Sequence, residues 1–162
     1  AKKEYSLNFI NKTIEEYIDE VNSVDVVLMS HVIEHLDKPF DNIESIANKM
    51  SKSSVLIFST YNMDSLIAKV LGKNYQWIMP MHKYYFTKRV LKNILGKYNL
   101  EIVETISDTH IISMKYFFIK INAIVPFLRF LTTPLMKIKF FNNLNIKINL
   151  GDLDIYCVKK TI

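Results

Sequence analysis

A single cysteine, Cys157, means that no disulfide can form within this chain, which fits a reducing compartment and an expected cytoplasmic location. In its strand-like setting Cys157 reads as a small buried residue. Only three glycines and four prolines occur in 162 residues, which excludes collagen-like and disordered low-complexity chains. No segment repeats at the roughly 20- to 50-residue period of a solenoid. The net charge is +5, yet the lysines are scattered and never form the block of roughly five or six that marks a nucleic-acid arm. Long hydrophobic runs are missing too: the stretch Ile121 to Leu128 is stopped by Arg129, short of the ~18 residues a membrane-spanning helix needs. The chain opens AKKEYSLNFI, without Met and without an apolar run before a small-residue cleavage site, so no secretory signal is expected.

What is present is apolar residue, 49% of the chain, enough for one compact domain over residues 1–162. Ser6 to Ile10 reads as a short strand, followed by a helix entry with Thr13 as cap and acids in the first turn. VDVVLM, Val24 to Met29, is an apolar run of the kind found in a strand covered on both faces. Asp37 and Pro39 signal the start of a helix carrying Phe40, Ile43, Ala47 and Met50. VLIFST, Val55 to Thr60, is the next strand, and Leu66, Ile67, Val70 and Leu71 make a helical stripe ending at Gly72. Lys73 to Thr87 reads as an aromatic loop. Thr87 then caps a helix bearing Val90, Leu91, Ile94 and Leu95, and Asn99 separates that helix from the strand Leu100 to Ile106.

A last strand, Asp152 to Lys159, follows the turn signal Gly151 and is expected to run antiparallel at or near the sheet edge. Alternating strands and helices of this kind predict an α/β fold with a Rossmann-like, mostly parallel sheet and flanking helices. Between the last two strands, residues 111–149 are dense in Phe, Ile and Leu and dotted with lysines, which predicts an apolar helical insert. Three readings fit it: a cap over an apolar substrate, a surface resting peripherally on a membrane, or helices packed on the core or a partner subunit.

Ligands of open α/β sheets bind at the carboxyl ends of the strands. There VDVVLM runs into Ser30 and His31, then Glu34 and His35, in the stretch SHVIEHLDKPF. Taken as a helical turn, positions 31, 34 and 35 share one face. The group reads in three ways: backbone caps and mutual pairing at the strand end, metal-free catalytic or substrate contacts, or a divalent-metal site. Histidine and carboxylate suit zinc, manganese or iron better than magnesium. Trp77, Tyr84, Tyr85 and Phe86 read as a packed lid or an acceptor wall, and His110 as a loop residue without a role.

VDVVLMSHVIEHLDKPFDNIESIANKMSKSSVLIFSTYNMDS, Val24 to Ser65, followed by WIMPMHKYYFTKRVLKNILGKYNLEIVE, Trp77 to Glu104, resembles the second half of a class I S-adenosylmethionine-dependent methyltransferase. Within that family it is similar to the ubiquinone-biosynthesis O-methyltransferase-like group, and the likeness resumes in Asp152 to Lys159. The resemblance implies methyl transfer from S-adenosylmethionine to a small-molecule or lipid-like acceptor. It implies cofactor contacts at Ile14 on the adenine side and at Ser30 and His31 near the sulfonium, with Glu34, His35 and His82 as the catalytic, substrate-facing group. Some relatives hold a divalent cation with a Glu-x-x-Glu-His motif, in which His31 replaces the first Glu here.

The family's glycine-rich cofactor turn and its following acid-bearing strand have no counterpart, Ser53 and Ser54 replace a Gly-Gly pair, and Tyr61 replaces a proline. The chain is therefore expected to be the C-terminal part of a longer enzyme. The alternative is a non-catalytic methyltransferase-fold remnant acting as an interaction module. A sheet without its front strands exposes an edge, which implies a homo-oligomer.

Overall fold

The computed structural model describes residues 10–140 and 144–161. The expected strand at Ser6 to Ile10 falls largely outside the described residues. In chain order the elements are α1 (Ile14–Ile18), β1 (Val24–Ser30), α2 (Pro39–Lys49), β2 (Met50–Tyr61), α3 (Leu66–Leu71), α4 (Lys88–Lys97), β3 (Leu100–Ser107), β4 (His110–Ser113), α5 (Met114–Ile124), α6 (Arg129–Met136), β5 (Asn145–Ile148) and β6 (Leu153–Lys160). Short 3-10 turns cover Gly72–Asn74 and Pro126–Leu128.

Helix starts follow local chemistry. Thr13 and Glu16 form a reciprocal capping box at α1, Thr87 caps α4 by accepting from the Val90 N–H, and Pro39 begins α2 with the one residue type that has no N–H to leave unpaired. Asp37 does not cap α2; its carboxylate pairs with Lys83 instead. At the far end of α2, the Lys160 ammonium donates to the carbonyls of Ala47 (2.8 Å) and Met50 (3.0 Å), placing a cation where the helix dipole favours it. Asn99 and Gly151 sit at φ 57° and 65°, the left-handed turns expected of them.

The main sheet has the order β1-β2-β6-β3, with β1 and β2 parallel and β6 antiparallel to both its neighbours. The last strand thus lies one place in from the edge, and β1, β2 and β3 all point the same way. This is the Rossmann-like sheet with flanking helices, mixed in pairing because β6 is wedged between β2 and β3. Its core gathers Met29, Leu56, Phe58, Tyr156 and Val158 from the sheet with Ile43, Ile46, Leu91 and Leu95 from the helices.

Two expectations of burial fail. Along β1 only Met29 is buried, while Val26 and Leu28, which share the opposite face, are 64% and 72% exposed because no described element packs over that face. On α3 it is Ala68 that is buried; Leu66 and Val70 point outward, since the small residue lets the helix approach the body. The 111–149 stretch does hold helices, but they sit on an antiparallel two-stranded ribbon, β4 with β5, that periodicity alone did not suggest.

Candidate functional site

β1 and β2 end side by side, with Ser30 in register with Ser59. The chain then turns sharply: His31 adopts a left-handed φ of 52°, unusual for a residue with a side chain, and its N–H is held by the Ser59 carbonyl (3.3 Å) and hydroxyl (3.2 Å). Residues 31–35 form a bend and turn rather than the helical turn expected. A second segment is tied to it: the Lys83 and Tyr84 N–H groups donate to the Glu34 carbonyl at 2.8 and 3.3 Å. These ties bring His82 to the end of β1, 47 residues from His35 in sequence.

The side chains converge. Glu34, His35 and His82 each place one ligand-type atom within 4.8 Å of the others. Glu34 is 1% exposed and accepts through Oε2 from the Thr60 hydroxyl (3.3 Å); its Oε1 lies 3.4 Å from His31 Nδ1 but without hydrogen-bond alignment. That oxygen and that nitrogen are both buried and have no hydrogen-bond partner among the described residues. His35 Nδ1 faces the Met81 carbonyl (3.0 Å) and His82 Nδ1 faces the Trp77 carbonyl (2.8 Å). A carbonyl only accepts, so Nδ1 carries a proton in both rings, and in the neutral form of either ring Nε2 is the atom with the lone pair. The rings meet edge to face, with centroids 4.7 Å apart.

One Glu34 carboxylate oxygen and one ring nitrogen each from His35 and His82 lie close enough together to hold a divalent cation. Of the expected residues, Glu34, His35 and His82 are brought together, with His31 against Glu34. Ser30 lies exposed at the strand end, its hydroxyl accepting from Ser59 (3.4 Å). Ile14 lies apart at the start of α1, packed against the core cluster.

Three features were not legible in advance. His110 is no idle loop residue: it begins β4, and its Nε2 lies 2.8 Å from Oδ1 of the fully buried Asp152, whose Oδ2 accepts from the Tyr75 hydroxyl (2.7 Å). Tyr61 stacks on Trp77 at 4.5 Å and tilts against His82 and His31, so one aromatic row runs from the Glu34 cluster towards His110. Beside it, a cavity of about 820 Å³ opens between α3, α5 and β5, lined by Ile67, Val70, Leu71, Phe117, Ile121 and Ile124, with Tyr75 and Asp152 also on its wall. The exposed stripe of α3 thus becomes a wall, which sequence periodicity cannot distinguish from a core face.

Burial, then the charges of Glu34 and Asp152, pushes the Tyr61 phenol above its ordinary range; burial and the bond to Asp152 do the same at Tyr75, and burial with the Asp154 charge at Tyr156. Unfolded phenols ionise near pH ~10, whereas these stay protonated in the fold. Their contribution to stability is therefore complete below pH ~10 and declines as pH rises beyond it. An alkaline titration following phenolate absorbance and circular dichroism together should show these three phenols ionising only with unfolding. Full ionisation of a still-folded protein would contradict this.

A sequence model described as a methyltransferase domain matches residues 5–105. No curated protein matches the chain. Among solved structures, a SAM-dependent methyltransferase from Archaeoglobus fulgidus is similar with a TM-score of 0.56 at 21% identity, covering 97% of this chain and 69% of that one. TehB from Haemophilus influenzae gives 0.52 at 11% identity, covering 99% and 44%. A SAM-dependent methyltransferase from Thermotoga maritima gives 0.50 at 14% identity, covering 87% and 58%. At such identities the likeness is one of fold, and the chain spans 69% or less of each of these structures.

Proposed function

Because the chain belongs to the methyltransferase-domain family, we propose that it forms the acceptor side of an S-adenosylmethionine-dependent methyltransferase acting on a small molecule with an apolar portion. The observation that carries this reading is the convergence of Glu34, His35 and His82 at the carboxyl ends of β1 and β2, the ligand-binding edge of such sheets. Ser30 and His31, at the same edge, are assigned to the cofactor's sulfonium side and Ile14 to its adenine. The apolar cavity beside the aromatic row suits the acceptor's hydrocarbon part.

Chemically the chain's own residues position and accept. In their neutral form His35 and His82 present Nε2 lone pairs, so either can take the proton that an acceptor hydroxyl gives up as its oxygen bonds to the methyl carbon, the S–C electron pair staying on sulfur. Holding donor and acceptor in line supplies the larger share of the rate, as in other two-substrate transfers. Glu34, His35 and His82 would also hold zinc, manganese or iron(II); a bound ion supplies Lewis-acid charge that eases deprotonation of the acceptor. Among the described residues β1 has no strand on its outer side, an edge that favours pairing with a second chain.

Calorimetric titration of the chain with S-adenosylhomocysteine tests the reading. Because the glycine-rich cofactor turn has no counterpart in this chain, incomplete binding is expected, with a dissociation constant on the order of 100 micromolar, corresponding to about 5 kcal/mol, and His31→Ala should weaken it about tenfold further. No binding at millimolar ligand would sink the enzyme reading and leave the non-catalytic fragment.

A further inference from the structure

Of the chain's 21 lysines and arginines, six fall between Thr109 and Gly151, and none of its 16 aspartates and glutamates does. In the fold this stretch is the α5–α6 pair on the β4–β5 ribbon, outside the main sheet. Its inward contact is polar: the buried Thr132 hydroxyl donates to the buried Asn122 Oδ1 at 2.7 Å, joining the two helices. Its outward positions are apolar. Phe127 and Phe130 are 71% and 70% exposed, and Ile119, Leu131 and Ile138 are exposed with them. Asn and Thr inside with Phe outside inverts the usual pattern of a helix pair bathed in water.

The cations are interleaved with these side chains. Arg129 stands between Phe127 and Phe130, and Lys137 and Lys139 flank Ile138, all three basic residues being exposed. We infer that this surface docks on an anionic lipid bilayer, with the phenyl and aliphatic groups below the headgroups and the cations at the level of the phosphates. Charge selects the occupant. Apposing the patch to itself in a second copy would set Arg129, Lys137 and Lys139 against their own copies with no acid among them, whereas an anionic membrane neutralises all three. The contact is peripheral: no helix among the described residues is long and apolar enough to cross a membrane. The inference does not depend on the methyl-transfer reading.

Sedimentation of the full chain with vesicles tests it, comparing phosphatidylcholine alone with phosphatidylcholine mixed with phosphatidylglycerol. Binding is expected to the mixed vesicles only, and to fall away at molar salt, where charges are screened within about 3 Å. The double substitution Phe127→Ser with Phe130→Ser should abolish binding at unchanged circular dichroism. If that variant fails to fold, Lys137→Gln with Lys139→Gln decides, with an expected loss of at least about tenfold. Absence of sedimentation with either vesicle overturns the inference, as does binding that neither double substitution alters. A doubled mass in solution that the Phe127 and Phe130 substitutions abolish would assign the face to a second copy and overturn it equally.

Discussion

Replacing Glu34 by glutamine is expected to do two opposite things at once. Cobalt(II) affinity, followed by its visible absorption, should fall at least about 100-fold, because the substitution removes the only anionic ligand from the cluster of Glu34, His35 and His82. The metal-free protein should meanwhile become more stable, by on the order of 1 kcal/mol. The second effect follows from what the carboxylate now lacks. It is 1% exposed, and one of its oxygens faces the equally unpartnered His31 Nδ1 at 3.4 Å. A glutamine there would still accept from Thr60 and would bury no charge, and a small rotation of its amide would bring the N–H into line with His31 Nδ1, satisfying two buried atoms. A gain in stability on losing the charge would support the proposal that Glu34 is kept for binding rather than for the fold. Thermal melts with and without metal check both halves; a less stable metal-free E34Q protein would show that the carboxylate is structural, and undiminished cobalt affinity would remove Glu34 from the site.

Phe58→Ala should cost about 3–5 kcal/mol of folding stability, a large part of the ~5–15 kcal/mol a domain possesses. Phe58 is fully buried in β2, opposite Met29 on one side and Tyr156 on the other, and stacks on the Tyr156 ring at 5.1 Å. Removing it empties the contact between the strand that ends at the candidate site and β6, the strand wedged into the sheet. The chemical-denaturation midpoint should drop far, while Leu66→Ala, on the exposed side of α3, should stay within about 0.5 kcal/mol of the parent. Comparable losses from both would show that the sheet interior is not where stability resides.

Much of the fold is written in short-range chemistry. The capping box at Thr13, Pro39 at the start of α2, Thr87 at the start of α4 and the left-handed Asn99 and Gly151 all follow from what single residues can and cannot do with their own backbone, and the structure agrees with each. The same holds for strand existence at Val24, Val55, Leu100 and Asp152, where runs of β-branched and aromatic residues suit a pleated surface. Burial is less legible. VDVVLM reads as covered on both faces and Leu66 to Leu71 as a core stripe, yet apolar periodicity reports only that a face can be buried, not that a neighbour exists to bury it.

The site divides in the same way. Its residue types were legible, since Ser30, His31, Glu34 and His35 follow directly on a strand and must lie at its carboxyl end. Their geometry was not: His82 reaches them only because the Glu34 carbonyl binds Lys83 and Tyr84, a contact across some fifty residues that no local pattern encodes. Asp152 and His110, 42 positions apart, meet for the same reason. The sequence by itself determined that strands form at Val24, Val55, Leu100 and Asp152, that helices begin near Thr13, Pro39 and Thr87, and that a polar cluster stands at the end of β1, because those follow from backbone and side-chain preferences within a few residues. Only the tertiary structure decided which histidines face one another, which carboxylate oxygen is left without a hydrogen-bond partner and which apolar face stays open, because each depends on the packing of segments far apart in the chain.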